Sequence, residues 1–369
     1  MKNKAWILIE LLFLIAVIGC GKNADAQIIG EQTVTEQTEA EQIEVEQTED
    51  KLPEQKTVII SLAGDCSLGK LSVHGYEGTF YEMYDEYGEE YFFKNVKDIF
   101  EEDDMTLVNF EGVLTQSDEK VEKQFNIKGE PEYIHILTAA GIDAVSFGNN
   151  HRIDYGEQGI ADTIAAFEEI NVAYAYDDNL GVYETEDGIK IGFVSVNEVY
   201  DGEKVEEYLE QGIQKLKEME VNLILACCHW GEEGKHYPEE YQTQLGHKCI
   251  DWGADLVVGS HPHVLQGFEN YNGKYIIYSL GNFCFGGNRN PKDKNSMIVQ
   301  VFFDLVDGKP AGEAKLQVIP CTISSVMERN DYCPTIADED KKTQIIENLN
   351  QYSEEYNIFI DEDGTVIRD

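Results

Sequence analysis

Two histidines separated by one residue, His261 and His263, follow an apolar run in the stretch LVVGSHPHVLQG. Because side chains alternate along an extended segment, an extended conformation would place both imidazoles on the same side. Two neutral imidazoles on one side are a good start for a transition-metal site. The alternative is a pair of polar residues in a surface loop. Residues of metal-binding type elsewhere in the chain favour the metal site over the surface loop.

Side chains of metal-binding type also follow several other apolar runs. Any one of them could cap a helix or belong to a turn. Carboxylates, imidazoles and amide oxygens are, however, the groups that hold divalent ions, and their recurrence after run upon run favours a shared metal site. These residues are Asp65, Asn109, Glu111, Asn149, Asn150, His151, His229 and Asn282.

The runs that carry these residues are short, apolar and rich in β-branched residues, which is typical of buried strands. Helical patterns lie between them: PEYIHILTAAG, GEQGIADTIAAFEEIN and PEEYQTQLGHKCIDWGA. Strands that alternate with helices indicate an α/β fold, in which sites form beyond the carboxyl ends of the strands. The sequence predicts one α/β domain over residues 57–325. Residues 326–369 are expected to add strand and helix that pack on this domain.

The first twenty residues have the pattern of a signal peptide: a short cationic start, MKNK, and then the apolar stretch AWILIELLFLIAVIG. The stretch is short for a membrane span and contains Glu10. It ends in VIGC, which resembles the lipobox of bacterial lipoproteins. This resemblance implies that Cys20 is lipidated and holds the protein on the extracellular face of the bacterial membrane. An ordinary cleaved signal or an uncleaved anchor would also place the domain outside the cytoplasm.

Residues 21–56 are predicted to be a disordered tether. Within them, EQTVT, EQTEA, EQIEV and EQTED are four copies of a five-residue unit. The segment is acidic and almost free of large apolar groups, so it cannot bury enough surface to fold. A five-residue period is not a heptad, which argues against a coiled coil.

The charge of the chain restricts its partners. It has 28 Lys and Arg against 71 Asp and Glu, a formal net charge of −43. Such a charge repels nucleic-acid phosphates and attracts metal cations, so no nucleic-acid partner is expected. Without Cys20 an odd number of cysteines remains, and no C-x-x-C occurs, which argues against a disulfide scaffold and a zinc knuckle. Cys227, Cys228 and Cys284 lie in or beside apolar runs and are interpreted as small hydrophobic residues.

Six motifs occur in a fixed order from Thr57 to Cys321: GD, N-x-E, GNNH-x-x-D-x-G, HWG-x-E, HPH and SLGNF. This series resembles the CapA family of poly-γ-glutamate capsule synthesis proteins, which belong with the calcineurin-like metallophosphoesterases. The resemblance implies a four-layer α/β/β/α sandwich with two central mixed sheets. It also implies one or two divalent ions, with manganese, zinc and iron as the candidates.

The resemblance also implies which residues bind the metal. His263 would share an ion with Asp65, and His261 would share an ion with Asn150 and His229, with Glu111 between the two ions. One departure concerns the first motif, because the wider phosphoesterase group has Asp-x-His where this chain reads Asp65-Cys66-Ser67. One metal position therefore lacks a histidine. Cys66 is interpreted as a packing residue.

The same analogy gives His151 the role of general acid or phosphate donor beside the metals. Asp154 could orient its imidazole, although a helix-start carboxylate is an equally good interpretation. We expect substrate contacts from Asn109, Asn149, Asn282 and Arg289. Arg289 is one of the few cations near the last motif, and the alternative is an ordinary loop arginine.

Two functions follow from these observations. One is a cell-surface lipoprotein that helps to assemble, export or retain poly-γ-glutamate, with capsule-synthase membrane proteins and the polymer itself as partners. The alternative is an extracellular metal-dependent phosphoesterase or other hydrolase unrelated to a capsule. The full set of motif histidines favours a working metal site, whereas the altered first motif favours an accessory role. Kinship of fold is no evidence for a reaction, so the sequence leaves open whether the protein is an enzyme.

Overall fold

The computed structural model describes residues 53–202 and 204–368. The predicted signal peptide of residues 1–20, the lipidation site Cys20 and nearly all of the predicted tether lie outside these residues. The first strand begins at Gln55. The last two residues that were assigned to the tether, Gln55 and Lys56, therefore belong to the folded part.

Strands supply the centre of the described structure. In chain order they are β1 (Gln55–Ser67), β2 (Lys70–Leu71), β3 (Met105–Phe110), β4 (Val113–Leu114), β5 (Ile127–Gly129), β6 (Ala144–Ser146), β7 (Ala173–Ala175), β8 (Gly181–Glu184), β9 (Lys190–Asn197), β10 (Leu223–His229), β11 (Leu256–Ser260), β12 (Phe268–Tyr271), β13 (Lys274–Ile277), β14 (Asn282–Phe285), β15 (Asn295–Val306), β16 (Lys309–Pro310), β17 (Lys315–Thr322), β18 (Thr335–Ile336), β19 (Ile358–Ile360) and β20 (Val366–Arg368).

Helices connect many of these strands. They are α1 (Phe80–Tyr87), α2 (Lys97–Glu101), α3 (His135–Ala140), α4 (Gly156–Ile170), α5 (Glu198–Asp201), α6 (Lys204–Glu218), α7 (Glu240–Trp252) and α8 (Glu339–Ser353). The three helical patterns predicted from the sequence are confirmed as α3 with the 3-10 turn before it, α4 and α7. Over the described residues, no helix combines the length and the apolar character that a membrane crossing requires.

The larger of two central sheets has the strand order β18-β17-β15-β1-β3-β6-β7. Strands β1, β3, β6 and β7 run parallel to one another. Strand β15 is antiparallel to β1, and β17 is antiparallel to β15. Strand β14 runs parallel to the last part of β1 and places Asn282 opposite Asp65.

The smaller central sheet has the order β12-β13-β11-β10-β9-β8. Its four inner strands are parallel, and β12 and β8 are antiparallel edges. Every residue of β10, with the sequence LILACCH, is buried. A continuous apolar run of this kind is expected for a parallel strand, because both faces of a parallel sheet are covered.

Strand β10 shows how the layers form, because alternate side chains point to opposite faces of a sheet. Leu223 and Leu225 pack in a core that contains residues of both sheets. Ile224 and Ala226, on the other face, pack with residues of α6 and α7. The smaller sheet is therefore covered by the larger sheet on one side and by helices on the other.

The outer face of the larger sheet is covered in the same way. Val108 of β3 and Val145 of β6 share a core with Phe80 of α1, Leu137 of α3 and Phe167 of α4. The layers are thus helix, sheet, sheet and helix. The predicted four-layer α/β/β/α sandwich with two central mixed sheets is confirmed.

The C-terminal part of the chain packs on these layers. Ile345 and Leu349 of α8 lie in the core between the two sheets. The helix begins after Asp338, whose carboxylate accepts a hydrogen bond of 2.9 Å from the backbone N–H of Lys341. Strand β18 adds to the edge of the larger sheet by pairing with β17.

Candidate metal centre

Five parallel strands of the two sheets deliver the candidate ligands to one place. Those residues are Asp65 near the end of β1, Glu111 after β3, Asn150 and His151 after β6, His229 as the last residue of β10, and His261 and His263 after β11. The carboxyl ends of parallel strands meet at one edge of a sheet, which explains why residues far apart in sequence converge. All six predicted metal ligands lie in this cluster.

One group of ligand atoms surrounds His229. Its Nε2 atom lies 3.1 Å from His261 Nδ1, 3.1 Å from Asn150 Oδ1 and 3.8 Å from Glu111 Oε1. Ligand atoms that share one ion lie about 2.0–2.2 Å from it, so they are roughly 3–4 Å from one another. The distances of 3.1–3.8 Å from His229 Nε2 fall in this range. Glu111, His229 and His261 offer ligand atoms that all lie within 4.8 Å of one another.

A second group contains Asp65, Glu111 and His263. His263 Nδ1 lies 3.0 Å from Asp65 Oδ2, and its Nε2 lies 3.7 Å from Glu111 Oε1. Glu111 therefore belongs to both groups and lies between them. This is the division of ligands that the family resemblance implies.

The charges of the cluster fit a divalent cation. Asp65 and Glu111 are completely buried, and neither oxygen of Glu111 accepts a hydrogen bond. Asp65 Oδ2 accepts none either, because its 3.0 Å contact with His263 lacks hydrogen-bond geometry. Imidazoles are the only basic groups among the described residues within 4.0 Å of either carboxylate. Buried carboxylates without compensation are costly, and a bound cation would remove that cost.

The pKa values of the cluster point the same way. Burial lowers the pKa of His229 well below its usual range and lowers the pKa of His261 to about 4. Both imidazoles are therefore neutral near pH 7, which is the form that binds metals. Burial raises the pKa of Glu111. Burial also disfavours the charged form of His263, but the charges of Glu111 and Asp65 outweigh this and raise its pKa to about 10. Without metal, the proton on His263 is the main positive charge beside the two carboxylates.

The backbone of the HPH motif differs from the expectation. Strand β11 ends at Ser260, and His261 and His263 lie in the following loop with φ angles of 97° and 57°. The prediction that alternation along an extended segment pairs the two imidazoles is therefore wrong. Positive φ is uncommon for residues other than glycine and persists only where the surroundings enforce it. The loop directs the two rings, whose centroids are 5.9 Å apart, into different ligand groups.

His151 lies beside the cluster, in contact with Asp154. Its Nδ1 atom is 2.7 Å from Asp154 Oδ2, and its Nε2 atom is 3.8 Å from Glu111 Oε1. Asp154 also accepts hydrogen bonds from Lys123 Nζ at 2.5 Å and from the backbone N–H of Ile127 at 2.5 Å. Asp154 is thus held on three sides and fixes the His151 ring. Helix α4 begins only at Gly156, so the position of Asp154 is set by these contacts.

The three asparagines that were expected to bind substrate hold the cluster together. Asn109 donates to Asp65 Oδ1 at 2.8 Å and accepts from Asn149, which also donates to the Phe110 carbonyl. Asn149 has no exposed surface and Asn109 is 4% exposed, so neither faces a substrate. The role predicted for these two is corrected to positioning. Asn282 lies at the cleft beside the cluster, and its Oδ1 atom is 3.0 Å from His263 Nδ1.

Arg289 is not brought to the cluster. It is exposed, and its guanidinium donates to the carbonyl of Glu77 at 3.2 Å. A cleft of about 480 Å³ opens beside His263 and Asn282, and Lys292 contributes an ammonium group to its wall. The prediction of a substrate contact from Arg289 therefore does not fit the structure.

Two further residues of the site had no signal in the sequence. Lys123 and Lys292 lie outside every motif, and only the folded chain brings them to Asp154 and to the cleft. The altered first motif has the expected effect, since the group around Asp65 contains one histidine and the group around His229 contains two. Cys66 is buried in the core beneath α1–α4, which confirms its packing role. All seven cysteines of the described residues are free and buried.

Known proteins resemble this chain in sequence. The family model described as bacterial capsule synthesis protein PGA_cap matches residues 59–287. The capsule biosynthesis protein CapA of Bacillus anthracis is 29% identical over 295 residues, which cover 73% of this chain and 68% of that protein. The PGA biosynthesis protein CapA of Bacillus subtilis is 29% identical over 287 residues, which cover 72% of this chain and 73% of that protein.

Among solved structures, 5'-nucleotidase from Candida albicans aligns with a TM-score of 0.42 and 11% sequence identity. The alignment covers 81% of this chain and 58% of that protein. The family model spans more than half of the 369 residues. The chain belongs to the bacterial capsule synthesis protein family PGA_cap.

Proposed function

We propose that this chain is a lipid-anchored protein on the extracellular face of the bacterial membrane that takes part in the synthesis or export of a poly-γ-glutamate capsule. Membership of the capsule synthesis family and the similarity to two CapA proteins support the capsule role. The lipobox-like VIGC and the acidic segment after it support the anchor at Cys20. The partners are then the membrane, the membrane proteins of the capsule synthase and the polymer.

We also propose that the protein works with one or two divalent ions of manganese, zinc or iron. The observation that carries this part is the pair of buried carboxylates, Asp65 and Glu111, surrounded by imidazoles. Their mixture of imidazole, carboxylate and amide oxygen suits these metals. When bound, the ions would supply Lewis-acid attraction for a carboxylate, phosphoryl or amide oxygen. The residues that would hold them are Asp65, Glu111, Asn150, His229, His261 and His263.

A metal centre would also reduce the electrostatic repulsion between this acidic chain and an acidic polymer. Poly-γ-glutamate carries a carboxylate on every residue, and a chain with a net charge of −43 repels it. A local cation reverses the sign of the field where the polymer would touch the protein. The side chain of His263 is 18% exposed, whereas those of Asp65 and Glu111 have no exposed surface. The polymer would therefore approach the cluster from the His263 side.

A second candidate function is metal-dependent hydrolysis, and the geometry of His151 favours it. A carboxylate only accepts hydrogen bonds, so His151 Nδ1 carries the proton donated to Asp154, and Nε2 faces the cluster. His151 is therefore placed to exchange a proton at Nε2 with a substrate held at the cluster. The Lys123 ammonium lies 2.5 Å from Asp154 and holds that carboxylate in place.

Binding of the polymer to membranes that carry the full chain tests the capsule role. We expect labelled poly-γ-glutamate to be retained, to be released by a chelator and to be retained again after Mn²⁺ is restored. Membranes with Glu111→Gln should retain little polymer, and membranes with the exposed-site variant Glu119→Gln should match the parent. Retention that is indifferent to the chelator would contradict a metal-dependent capsule role. Release of phosphate or of glutamate by the parent but not by His151→Asn would support hydrolysis instead.

A further inference from the structure

The cleft at His263 does not end beside the cluster. Residues 290–293 form part of its wall and also line a second cleft of about 570 Å³. This second cleft continues past Lys294 and Met327 to Lys341 and Gln344 of α8. The two clefts, which meet along residues 290–293, form a groove from His263 to α8.

The charge of the second cleft is opposite to that of the chain as a whole. Three lysines and one aspartate line it, whereas the chain has 28 Lys and Arg against 71 Asp and Glu. Lys294 is 6% exposed and donates to the carbonyls of Met327 and Arg329, so it braces the wall. Lys292 is exposed and forms no salt bridge with any described residue. Lys341 donates to the amide oxygen of Gln344 and likewise has no carboxylate partner in the described part of the chain.

The carboxylates near the groove do not cancel these charges. Asp293 accepts from the backbone N–H of Asn295 and lies 3.9 Å from His236. Glu233 lines the cleft beside His263, at the cluster end of the groove. Asp338, which caps α8, and Glu339 and Asp340 of its first turn precede Lys341 but are not among the residues that line the groove. Lys292 and Lys341 therefore remain available to an anion from outside.

We propose that this groove binds an extended polycarboxylate chain, with one carboxylate at the His263 end of the groove and later carboxylates at Lys292 and Lys341. The inference rests on the proposed function, since it deepens the role of the same metal centre. A polymer with carboxylates at regular intervals matches a groove whose cations are spaced along its length. A single glutamate held in the cleft beside His263 would leave Lys341, which lines only the second cleft, without a contact.

Chain length is thus the variable that tests the groove. The full chain is loaded with Mn²⁺, and its affinities for a poly-γ-glutamate oligomer and for free glutamate are measured by calorimetry. The variants are the double charge reversal Lys292→Glu with Lys341→Glu, the single reversal Lys341→Glu and, as control for that single reversal, Lys342→Glu. Lys342 is the next residue on α8 but does not line the groove. The double variant should bind the oligomer about tenfold more weakly, because each surface ion pair contributes modestly. Its affinity for glutamate and its metal content should stay unchanged.

Several results would contradict the proposal that the groove binds the polymer. The oligomer affinity of the double variant could equal that of the parent, or Lys342→Glu could weaken the oligomer as much as Lys341→Glu does. The oligomer could also bind no more tightly than glutamate to the metal-loaded parent. The proposed function fails separately, if the parent binds no metal. If the parent binds no metal but its affinity for the oligomer still falls in the double variant, the groove binds the polymer without a metal centre.

Discussion

The Nδ1 atom of His261 lies 3.1 Å from the Nε2 atom of His229, and both rings are buried. Asn150 Oδ1 lies 3.1 Å from the same Nε2 atom. On its other side, His229 Nδ1 contacts the hydroxyl of Ser260 at 3.0 Å. Because burial lowers the pKa of both imidazoles, two neutral rings and an amide oxygen converge on one point. A shared metal ion would account for this convergence.

Glu111→Gln is expected to stabilise the metal-free protein while it weakens metal binding. Glutamine has nearly the same shape but avoids the cost of burying a charge, the cost that raises the pKa of Glu111, and Asp65 remains to pair with the His263 proton. The melting temperature without metal should rise by a few degrees, and the further rise on addition of Mn²⁺ or Zn²⁺ should disappear. Thermal unfolding with and without chelator measures both effects. Exposed Glu119→Gln serves as control, and a Glu111→Gln protein that is less stable yet still shifted by metal would contradict the account.

Gly64→Ala is expected to destabilise the fold and to lower metal affinity together. A Cβ atom at position 64 would lie 1.9 Å from the carbonyl oxygen of Gly281, which accepts the 2.9 Å hydrogen bond of the Asp65 N–H. Relief of that clash must move β1 away from the segment that positions Asn282. We expect a loss of about 3 kcal/mol or more in the free energy of unfolding. Gly75→Ala is the control, since no atom lies within 4 Å of a Cβ there. Equal stability and metal content of both variants would argue against this close approach.

The stability of the protein should fall as the pH rises toward neutrality, because burial raises the pKa of Asp103 to about 7. The folded state binds the Asp103 proton more tightly than the unfolded state. This stabilisation is fully present below the ordinary aspartate pKa of about 3.9, and it is lost as the pH rises through about 7. The loss should be on the order of 2–4 kcal/mol between pH 4 and pH 8.

Asp103→Asn tests this effect, since asparagine has no charge to bury. Urea unfolding at several pH values should show a flatter profile for Asp103→Asn than for the parent, with higher stability than the parent at pH 8. Asp98 on α2 is exposed, so Asp98→Asn should keep the parent profile. A parent whose stability rises steadily from pH 4 to pH 8 by the same amount in all three proteins would exclude Asp103 as the cause.

Cys20→Ala is expected to release the protein from the membrane or to leave it unprocessed, because the lipidated thiol is the proposed anchor. Fractionation of cells and mass spectrometry of the mature N-terminus measure the two outcomes. His135→Ala, which changes a half-buried histidine of α3, should fractionate as the parent does. An unchanged membrane fraction and an unchanged N-terminal mass in Cys20→Ala would refute lipid anchoring.

The sequence predicted what depends on strand order and failed where loop geometry decides. Asp65, Glu111 and His229 could be assigned because each ends an apolar run, and the ends of parallel strands converge whatever the loops do. The positive φ angles of His261 and His263 could not be foreseen, since they are imposed by contacts across the fold. The role of Lys123 could not be predicted either, because its partner Asp154 is distant in sequence and Lys123 belongs to no periodic pattern. Helix α6 was not assigned, although Val205, Leu209, Ile213 and Leu216 recur at helical spacing.

The metal content of single histidine variants tests the central claim most directly. The full chain and the variants His261→Ala, His263→Ala and His135→Ala are purified without added metal, exposed to Mn²⁺ or Zn²⁺, and analysed for bound metal per chain. His135 serves as control because it lies outside both ligand groups and its side chain is 43% exposed. Loss of a direct ligand should cost at least the 10–100-fold in affinity that loss of a supporting partner costs. We predict that both cluster variants lose metal and that His135→Ala matches the parent. Equal metal content and equal affinity in all four proteins would contradict a metal centre formed by His261 and His263.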